Sequence, residues 1–309
     1  MQAASSAWQA HTQRVAQNIR RRVLDYVIRN NGGYLSQACS GAEILATLYT
    51  RIMNLGPSRA PMIPAPFPGV PSAHNPNFFN GALYNGAPEP HRDRFFFSPA
   101  HYALVLYATL IEVGRMSPEG LELFNQDGST VEMIGAEHSP GIETTTGSLG
   151  QCLSQAGGVA LARKLKGETG RVWVMLSDGE FQEGQTWEAF AALAFHKLDN
   201  VGVYVDVNGF QCDGKMDTVM QIEPLHARLE SFGAAVYEAE GHDMEQLAAL
   251  ATLAHASKPL VVLARTDPAH GIEILRARAP KYHYVRFQDE TERAQYRDWL
   301  EEMNVIDTS

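Results

Sequence analysis

The 309-residue sequence predicts an α/β protein in which a parallel sheet is covered by helices on both faces. Two observations support this. Short apolar runs alternate with helical segments from residue 95 onward, and the runs VWVML (172–176) and VGVYVDV (201–207) are almost continuously apolar. Strands of this kind are typical of a sheet buried on both faces. The hydrophobic content of 45% is enough to form a sizeable core.

The first third of the chain is predicted to be helical and then irregular. A helix is predicted over residues 8–30, ending at Gly32-Gly33. A second helix is predicted to open at Ser40-Gly41-Ala42-Glu43, where the spacing matches a capping box, so that residues 33–39 would form a turn. Residues 56–90 hold nine of the sixteen prolines and predict a long surface loop.

The rest of the chain alternates between predicted strands and predicted helices. The strands are expected at 95–97, 171–176, 201–207, 234–237 and 260–264. The helices are expected at 101–113, 151–165, 183–196, around 230, at 243–256 and at 288–303. Residues 1–309 are predicted to form a single domain with the Pro-rich loop at 56–90 and a C-terminal helix and tail at 286–309.

Composition argues against several classes of protein. The net charge of −10 and the lack of a concentrated basic region predict no binding to nucleic acid. No stretch of 18 apolar residues occurs, and the N-terminus resembles an amphipathic helix rather than a signal peptide, so no membrane association and a cytoplasmic location are expected. Cys39, Cys152 and Cys212 are widely separated and show no metal-ligand spacing, which predicts reduced, structural thiols.

Polar residues follow two of the predicted strands. Asp178-Gly179 comes directly after the strand at 171–176, and Asn208 follows the strand at 201–207. Because ligands of open parallel sheets bind beyond the carboxyl ends of strands, Asp178 and Asn208 are expected to converge on one site. Their oxygen atoms suit Mg²⁺ or Ca²⁺ together with phosphate oxygens. Taken singly, Asp-Gly and Asn-Gly are also ordinary turn formers.

The combination of Asp178-Gly179 with Asn208 resembles the metal motif of thiamine diphosphate enzymes, and the chain from about residue 30 to 283 looks like transketolase. The resemblance implies the thiamine-diphosphate-binding (PP) domain, with thiamine diphosphate and Mg²⁺ or Ca²⁺ as cofactors. The further segments that carry the resemblance are 92–95, 98–101, 141–151, 183–184, 197–200, Gly214 and 241–243.

The resemblance also implies roles for individual residues. The metal ligands would be Asp178, Asn208 and the carbonyl of Phe210. The cofactor would in addition contact His101, Gly147, Ser148, Leu149, Gly179 and Glu180. The implied catalytic residues are His101, His138 and His283, which would move protons on sugar hydroxyls, and Glu183, which would lie at a subunit contact.

The substrate side departs from the family pattern. The residues implied to touch substrate are Tyr34, His138 and His283, and Tyr34 replaces a histidine of typical transketolases. Tyrosine can bind a hydroxyl, but with a pKa near 10 it is a poorer proton shuttle near neutrality. Either His138 or Ala136 can occupy the place of a second family histidine, and His270 competes with His283 for the third.

The resemblance implies a transketolase subunit that transfers a two-carbon ketol unit from a ketose or ketose phosphate to an aldose. The sequence ends soon after His283 and has no residue assignable as the glutamate that activates the cofactor. We therefore expect a partner, a C-terminal transketolase subunit carrying the pyrimidine-binding domain, in an α2β2 heterotetramer. Two alternatives are a component of a decarboxylating carboligase that uses a 2-oxo acid, and a noncatalytic scaffold subunit.

Overall fold

A mostly parallel sheet forms the centre of the molecule. The computed structural model describes residues 2–306, with side chains from 7 to 303. Within these residues a parallel five-stranded sheet has the order β1-β2-β3-β7-β6, and β4 and β5 form a small antiparallel hairpin. The strands are β1 (Arg94–Phe97), β2 (Val172–Ser177), β3 (Val201–Val207), β4 (Phe210–Gln211), β5 (Gly214–Lys215), β6 (Ala235–Glu240) and β7 (Leu260–Arg265).

Helices cover both faces of the sheet, which confirms the predicted α/β class. Two separate apolar layers show this: α1, α2, α3 and α8 contribute to one, and α4, α5 and α7 to the other. The helices are α1 (Gln2–Asn30), α2 (Ser36–Thr47), α3 (Ala103–Glu112), α4 (Cys152–Leu165), α5 (Gly184–Phe195), α6 (Met216–Val219), α7 (Leu225–Ser231), α8 (Met244–Leu250) and α9 (Glu290–Ile306).

The strands are apolar at consecutive positions because each contributes to both layers. In β2, Trp173 and Met175 pack in the layer with α1, whereas Val174 and Leu176 pack in the layer with α4. Side chains alternate between the faces of a strand, so a strand buried on both sides needs apolar residues at every position. The runs noticed in the sequence therefore belong to the central strands.

Three predicted helix bounds are wrong, the first being the start of α1, which lies at Gln2 rather than at residue 8. The second helix begins at Ser36 rather than at Ser40, and residues 36–39, predicted to be a turn, are helical. Ser40 lies inside α2, where its hydroxyl donates to the carboxylate of Asp206 instead of capping a helix. The helix predicted over 243–256 ends earlier, because α8 spans only Met244–Leu250. The side chain of Asp243 caps α8 and accepts hydrogen bonds from the backbone amides of Glu245 and Gln246.

The Pro-rich loop at 56–90 contains one short 3₁₀ helix, Gly81–Asn85, and is otherwise irregular. Backbone hydrogen bonds join it to the segment around residues 117–141, including Gly81 N to Glu137 O at 2.8 Å and Gly141 N to Gly81 O at 2.9 Å. A β-carbon on Gly81 would lie 1.7 Å from the carbonyl oxygen of Ser139, so glycine is required at this close approach. The loop is thus held beside the chain that precedes α4.

The carboxyl ends of β2 and β3 lie side by side. Ser177 at the end of β2 pairs with Asp206 in β3. Asp178 therefore starts a 3₁₀ turn next to the point where β3 leads into Asn208 and the β4–β5 hairpin. Among residues 2–306, no helix has the length and apolar character needed to cross a bilayer.

Candidate active site and cofactor site

A cavity of about 320 Å³ opens at the carboxyl ends of the parallel strands. This is where ligands bind in open α/β sheets. Most of the predicted site residues converge there although they are spread over more than 180 positions of sequence. Those that line the cavity are His101, Gly147, Leu149, Asp178, Gly179, Glu183, Asn208, Phe210 and His283.

Asp178 is a buried carboxylic acid in the lining of the cavity. Its side chain is 1% exposed, and the backbone amide of Gly209 donates to its carboxylate at 2.8 Å. Burial, together with the neighbouring Asp206, raises the pKa of Asp178 to about 8. A buried carboxylate is costly to ionise unless a positive charge compensates it. A divalent cation at Asp178 would supply that charge, so this side chain fits the predicted metal.

Asn208 offers a second oxygen atom in the cavity lining. Its amide nitrogen lies 3.3 Å from the hydroxyl of Tyr102 and 3.4 Å from the carboxylate of Asp206. Its amide oxygen accepts from the backbone nitrogen of Phe210 at 2.9 Å. A carbonyl oxygen has two lone pairs, so one remains for a cation. A carboxylate, an amide oxygen and a main-chain carbonyl form a hard donor set suited to Mg²⁺ or Ca²⁺.

Two glycines in the cavity lining, Gly147 and Gly179, leave room for a ligand to approach the backbone closely. A β-carbon built on Gly179 would meet only Gln211, at 3.8 Å, and one on Gly147 would meet a methyl of Ile134 at 3.3 Å. Gly147 and Leu149 precede α4, whose N-terminus begins at Cys152. Helix N-termini favour anions, so the approach to α4 is electrostatically suited to a diphosphate. Ser148, beside them, is exposed but does not line the cavity.

Glu180 lies beneath the cavity rather than in its lining. It is fully buried and accepts from the hydroxyl of Ser98, from the amide of Ser177 at 3.0 Å and from the amide of Gly150 at 3.3 Å. Burial raises the pKa of Glu180 to about 7. These bonds tie the turn after β2 to the chain before α4. In this structure Glu180 braces the two segments that flank the cavity.

Four aromatic rings form a cluster that includes two histidines of the cavity lining. The ring of Tyr34 packs edge-on against His101, His283 and Tyr284, at centroid distances of 5.5, 5.3 and 5.0 Å. Gln37 donates to the carbonyl of His283 at 3.1 Å and so fixes the backbone there. Tyr34 is not part of the cavity lining but supports two histidines that are.

Burial favours the neutral form of both histidines of the cluster. Burial, together with the neighbouring His283, lowers the pKa of His101 to about 3. Burial also lowers the pKa of His283, although Asp213 opposes the effect. A neutral imidazole presents one donor and one acceptor to a hydroxyl.

The second predicted histidine lies elsewhere. The ring of His138 packs against Phe67 of the Pro-rich loop at 4.4 Å, and its Nε2 is 3.2 Å from the carboxylate of Glu132. Ala136 donates its backbone amide to the hydroxyl of Ser139 at 3.0 Å. Neither His138 nor Ala136 is among the residues that line the cavity.

His270 belongs to a different cluster. Its ring stacks on His242 at 3.8 Å, and both lie near the buried carboxylate of Glu43, which pairs with Arg20 at 2.7 Å. The Nε2 of His242 accepts from the amide of Asp267 at 2.9 Å, so the ring proton must be on Nδ1, which faces Glu43 at 3.0 Å. A protonated Nδ1 cannot ligate a metal. The cluster is therefore an ion-pair network rather than a second metal site.

Several residues of the site escaped the sequence analysis, including Gln37, Tyr102 and Asp206. Gln37 and Tyr102 line the cavity, and the fully buried Asp206 lies behind Asn208. Asp206 left one signal, an acid within the apolar run VGVYVDV. Gln37 and Tyr102 left none, because their roles depend on partners more than 100 positions away.

Comparison with known proteins identifies the family. Residues 78–273 match the transketolase thiamine diphosphate binding domain. An uncharacterized transketolase family protein of Sinorhizobium fredii is 33% identical over 94% of both chains. A protein named as one subunit of the apulose-4-phosphate transketolase of Actinobacillus succinogenes is 31% identical over 90% of this chain and 92% of its own.

A solved transketolase of Pichia stipitis shares the fold, with a TM-score of 0.68 at 22% identity. The match covers 96% of this chain but 45% of the solved chain, so the sequence spans less than half the length of that structure. The family match implies thiamine diphosphate and a divalent metal as cofactors. The oxygen atoms of Asp178 and Asn208 are suited to the metal. The chain therefore belongs to the transketolase family of transferases.

Proposed function

We propose that this chain is the thiamine-diphosphate-binding subunit of a two-chain transketolase. It transfers a two-carbon ketol unit from a ketose or ketose phosphate to an aldose. Residues 1–309 form one domain, and the partner chain carries the pyrimidine-binding domain in an α2β2 heterotetramer. The observation that carries this proposal is the cavity that gathers Asp178, Asn208, His101 and His283 at the carboxyl ends of the strands.

In the proposed site, Asp178, Asn208 and the carbonyl of Phe210 would hold the divalent metal that accompanies the diphosphate. The high pKa of Asp178, about 8, supports this role because a cation would compensate the burial that raises it. Gly147, Leu149 and Gly179 offer backbone approach to the cofactor, with Ser148 at the exposed edge. When bound, the cofactor would supply the electron sink needed for cleavage of the ketose.

The chain's own residues then orient the sugar. His283 offers a neutral imidazole that can accept a proton from a hydroxyl and return it. His101 is a weaker base, since its pKa is about 3, and its role is to donate or accept a fixed hydrogen bond. Tyr34 keeps both rings in place by edge-on packing. His138 packs on Phe67 and lies outside the cavity lining, so the proposal assigns it no direct contact with substrate.

Two observations support the partner. A relative whose name makes it one subunit of a transketolase matches over 92% of its own length, whereas the solved transketolase chain extends well beyond the match. Glu183 lies at the exposed rim of the cavity, immediately before α5. This position suits the subunit contact expected of Glu183. A carboxylate at the start of a helix is also stabilised by the helix dipole.

The test is a calorimetric titration of thiamine diphosphate and Mg²⁺ into the chain, with and without the product of a neighbouring reading frame that encodes the other transketolase domains. We expect tight binding only in the mixture. Asp178→Ala should abolish binding, whereas Asp217→Ala, which removes an exposed acid from α6, should not. Binding that Asp178→Ala leaves unchanged would refute the assigned metal ligand.

The reaction itself is tested with the assembled protein and a panel of donors. Consumption of a ketose or ketose phosphate without release of carbon dioxide supports ketol transfer. Release of carbon dioxide from pyruvate would instead identify a decarboxylating carboligase component. Absence of cofactor binding in every mixture would favour a noncatalytic role.

A further inference from the structure

Asp206 is a second buried acid beside the proposed metal site, and four side chains donate hydrogen bonds to its carboxylate. Its carboxylate accepts from the hydroxyl of Ser40 at 2.6 Å, the hydroxyl of Tyr102 at 3.1 Å and the amide of Asn208 at 3.4 Å. The hydroxyl of Thr266 donates to its other oxygen. Four side-chain donors therefore occupy both oxygens of this carboxylate. Its surroundings therefore suggest a role different from metal ligation.

The direction of these hydrogen bonds fixes the amide of Asn208. The hydroxyl of Tyr102 has a single proton, which it donates to Asp206. Its oxygen is then an acceptor, and the Asn208 amide nitrogen donates to it at 3.3 Å. The amide nitrogen thus faces Tyr102 and Asp206. The amide oxygen must face the other way, toward the loop at Phe210.

We infer that Asp206 and Tyr102 are positioning residues that hold the oxygen of Asn208 toward the metal and so set the affinity for the divalent cation. The inference rests on the proposed function, since it assumes that Asn208 is a metal ligand. It assigns neither Asp206 nor Tyr102 a contact with the metal, cofactor or substrate.

The expected effect follows from the asymmetry of an amide. An Asn208 side chain turned by half a rotation would present NH₂ donors to the cation, and these repel it. Without Tyr102 and Asp206, the two orientations differ less in free energy. Loss of partners that orient a metal ligand weakens metal affinity by about 10- to 100-fold in other metalloproteins. The removal of one such partner is therefore expected to weaken binding about tenfold.

The first experiment titrates Mn²⁺ into the assembled protein, this chain with its partner chain, at saturating thiamine diphosphate and measures free Mn²⁺ by electron paramagnetic resonance. Tyr102→Phe removes the oxygen between Asp206 and Asn208. Tyr107→Phe is the matched control, because Tyr107 is also buried and loses one hydrogen bond, to the carbonyl of Glu132. We expect about tenfold weaker Mn²⁺ binding for Tyr102→Phe alone. Equal affinities in the two variants would overturn the inference.

A second measurement separates orientation from packing. In an Asn208→Asp background the ligand is a carboxylate with two equivalent oxygens, so there is no amide to orient. Tyr102→Phe should then lose most of its effect on Mn²⁺ affinity. The same tenfold loss in both backgrounds would assign the effect to packing and overturn the positioning role.

A second pair of variants covers the case in which Tyr102→Phe or Asn208→Asp fails to fold. Thr266→Val removes a donor from Asp206 on the side away from Asn208, and Thr109→Val is its buried control, whose hydroxyl donates to the carbonyl of Val105. Weaker Mn²⁺ binding for Thr266→Val alone supports the inference, and equal binding overturns it. A wild-type assembly of this chain with its partner that binds no Mn²⁺ would overturn the proposed function as well, so the two failures are distinguishable.

Discussion

Replacement of Glu43 by glutamine is expected to destabilise the protein by about 3 kcal/mol at pH 7. Glu43 lies in α2 with 1% of its surface exposed, and its carboxylate pairs with Arg20 at 2.7 Å and with His242 at 3.0 Å. Burial alone would raise the pKa of Glu43, but Arg20 and His242 outweigh it and lower the pKa to about 2. The glutamine side chain keeps the shape and loses the charge.

Two routes give a similar magnitude. A shift of one pKa unit is worth about 1.36 kcal/mol, so a change from the ordinary 4.5 to about 2 corresponds to about 3 kcal/mol. Removal of one partner of a buried ion pair costs about 3–5 kcal/mol, because the other charge is left unpaired. Here Arg20, which is 2% exposed, would be the unpaired charge.

The sign of the pH dependence follows from the direction of the shift. A carboxyl group whose folded pKa lies below its unfolded pKa contributes its full stabilisation above about pH 4.5 and loses it as the pH falls toward 2. The free energy of unfolding, measured by urea denaturation, should therefore differ most between wild type and Glu43→Gln at neutral pH. The difference should shrink progressively below about pH 5.

The matched control is Glu122→Gln, which removes an exposed carboxylate paired with Arg29 at 3.1 Å. Exposed ion pairs contribute about 0–1 kcal/mol, so this variant should behave almost like wild type. A loss below 1 kcal/mol for Glu43→Gln, or a loss that does not change between pH 7 and pH 4, would refute the reasoning. Either result would mean that Arg20 and Glu43 are not an effective buried pair.

Three further substitutions test packing and the site. Gly202→Ala should destabilise the fold by about 1–3 kcal/mol in urea denaturation, because the new β-carbon would lie 2.3 Å from the ring of Trp173. Gly158→Ala, within α4 and with open space around it, should instead stabilise by about 0.5–1 kcal/mol. In turnover assays with the assembled enzyme, His283→Ala should lose about 100-fold or more, whereas His138→Ala, outside the cavity lining, should lose little.

The fold was predictable because its signals are local. The strands β2 and β3 are apolar at nearly every position, and their bounds differ from the prediction by at most one residue. The start of α2 was not predictable in the same way. Ser40 and Glu43 have the spacing of a capping box, but Ser40 donates to Asp206 and Glu43 pairs with Arg20. Both residues bond to buried polar partners that lie far away in sequence, and a rule based on local spacing does not detect such partners.

The site was predictable where motif residues follow strands directly. Asp178 and Asn208 come at the ends of neighbouring strands, so the topology alone brings them together. The position of His138 depends instead on a long irregular segment and on Phe67 in the Pro-rich loop. No periodic pattern specifies where such a segment lies. The support that Tyr102 gives to Asn208 was equally invisible, because it joins residues 106 positions apart.

The two buried acids at the carboxyl ends of the sheet, Asp178 and Asp206, differ in the hydrogen-bond donors that surround them. Asp206 is surrounded by side-chain donors from α2, from the turn before α3 and from the end of β7, which offset part of the cost of its burial, although burial still raises its pKa. The carboxylate of Asp178 relies on backbone amides such as that of Gly209, and its pKa is still raised to about 8. Asp206 is surrounded by side-chain donors and Asp178 is not, and this difference supports the proposal that Asp178 holds the cation while Asp206 keeps the neighbouring ligand, Asn208, in position.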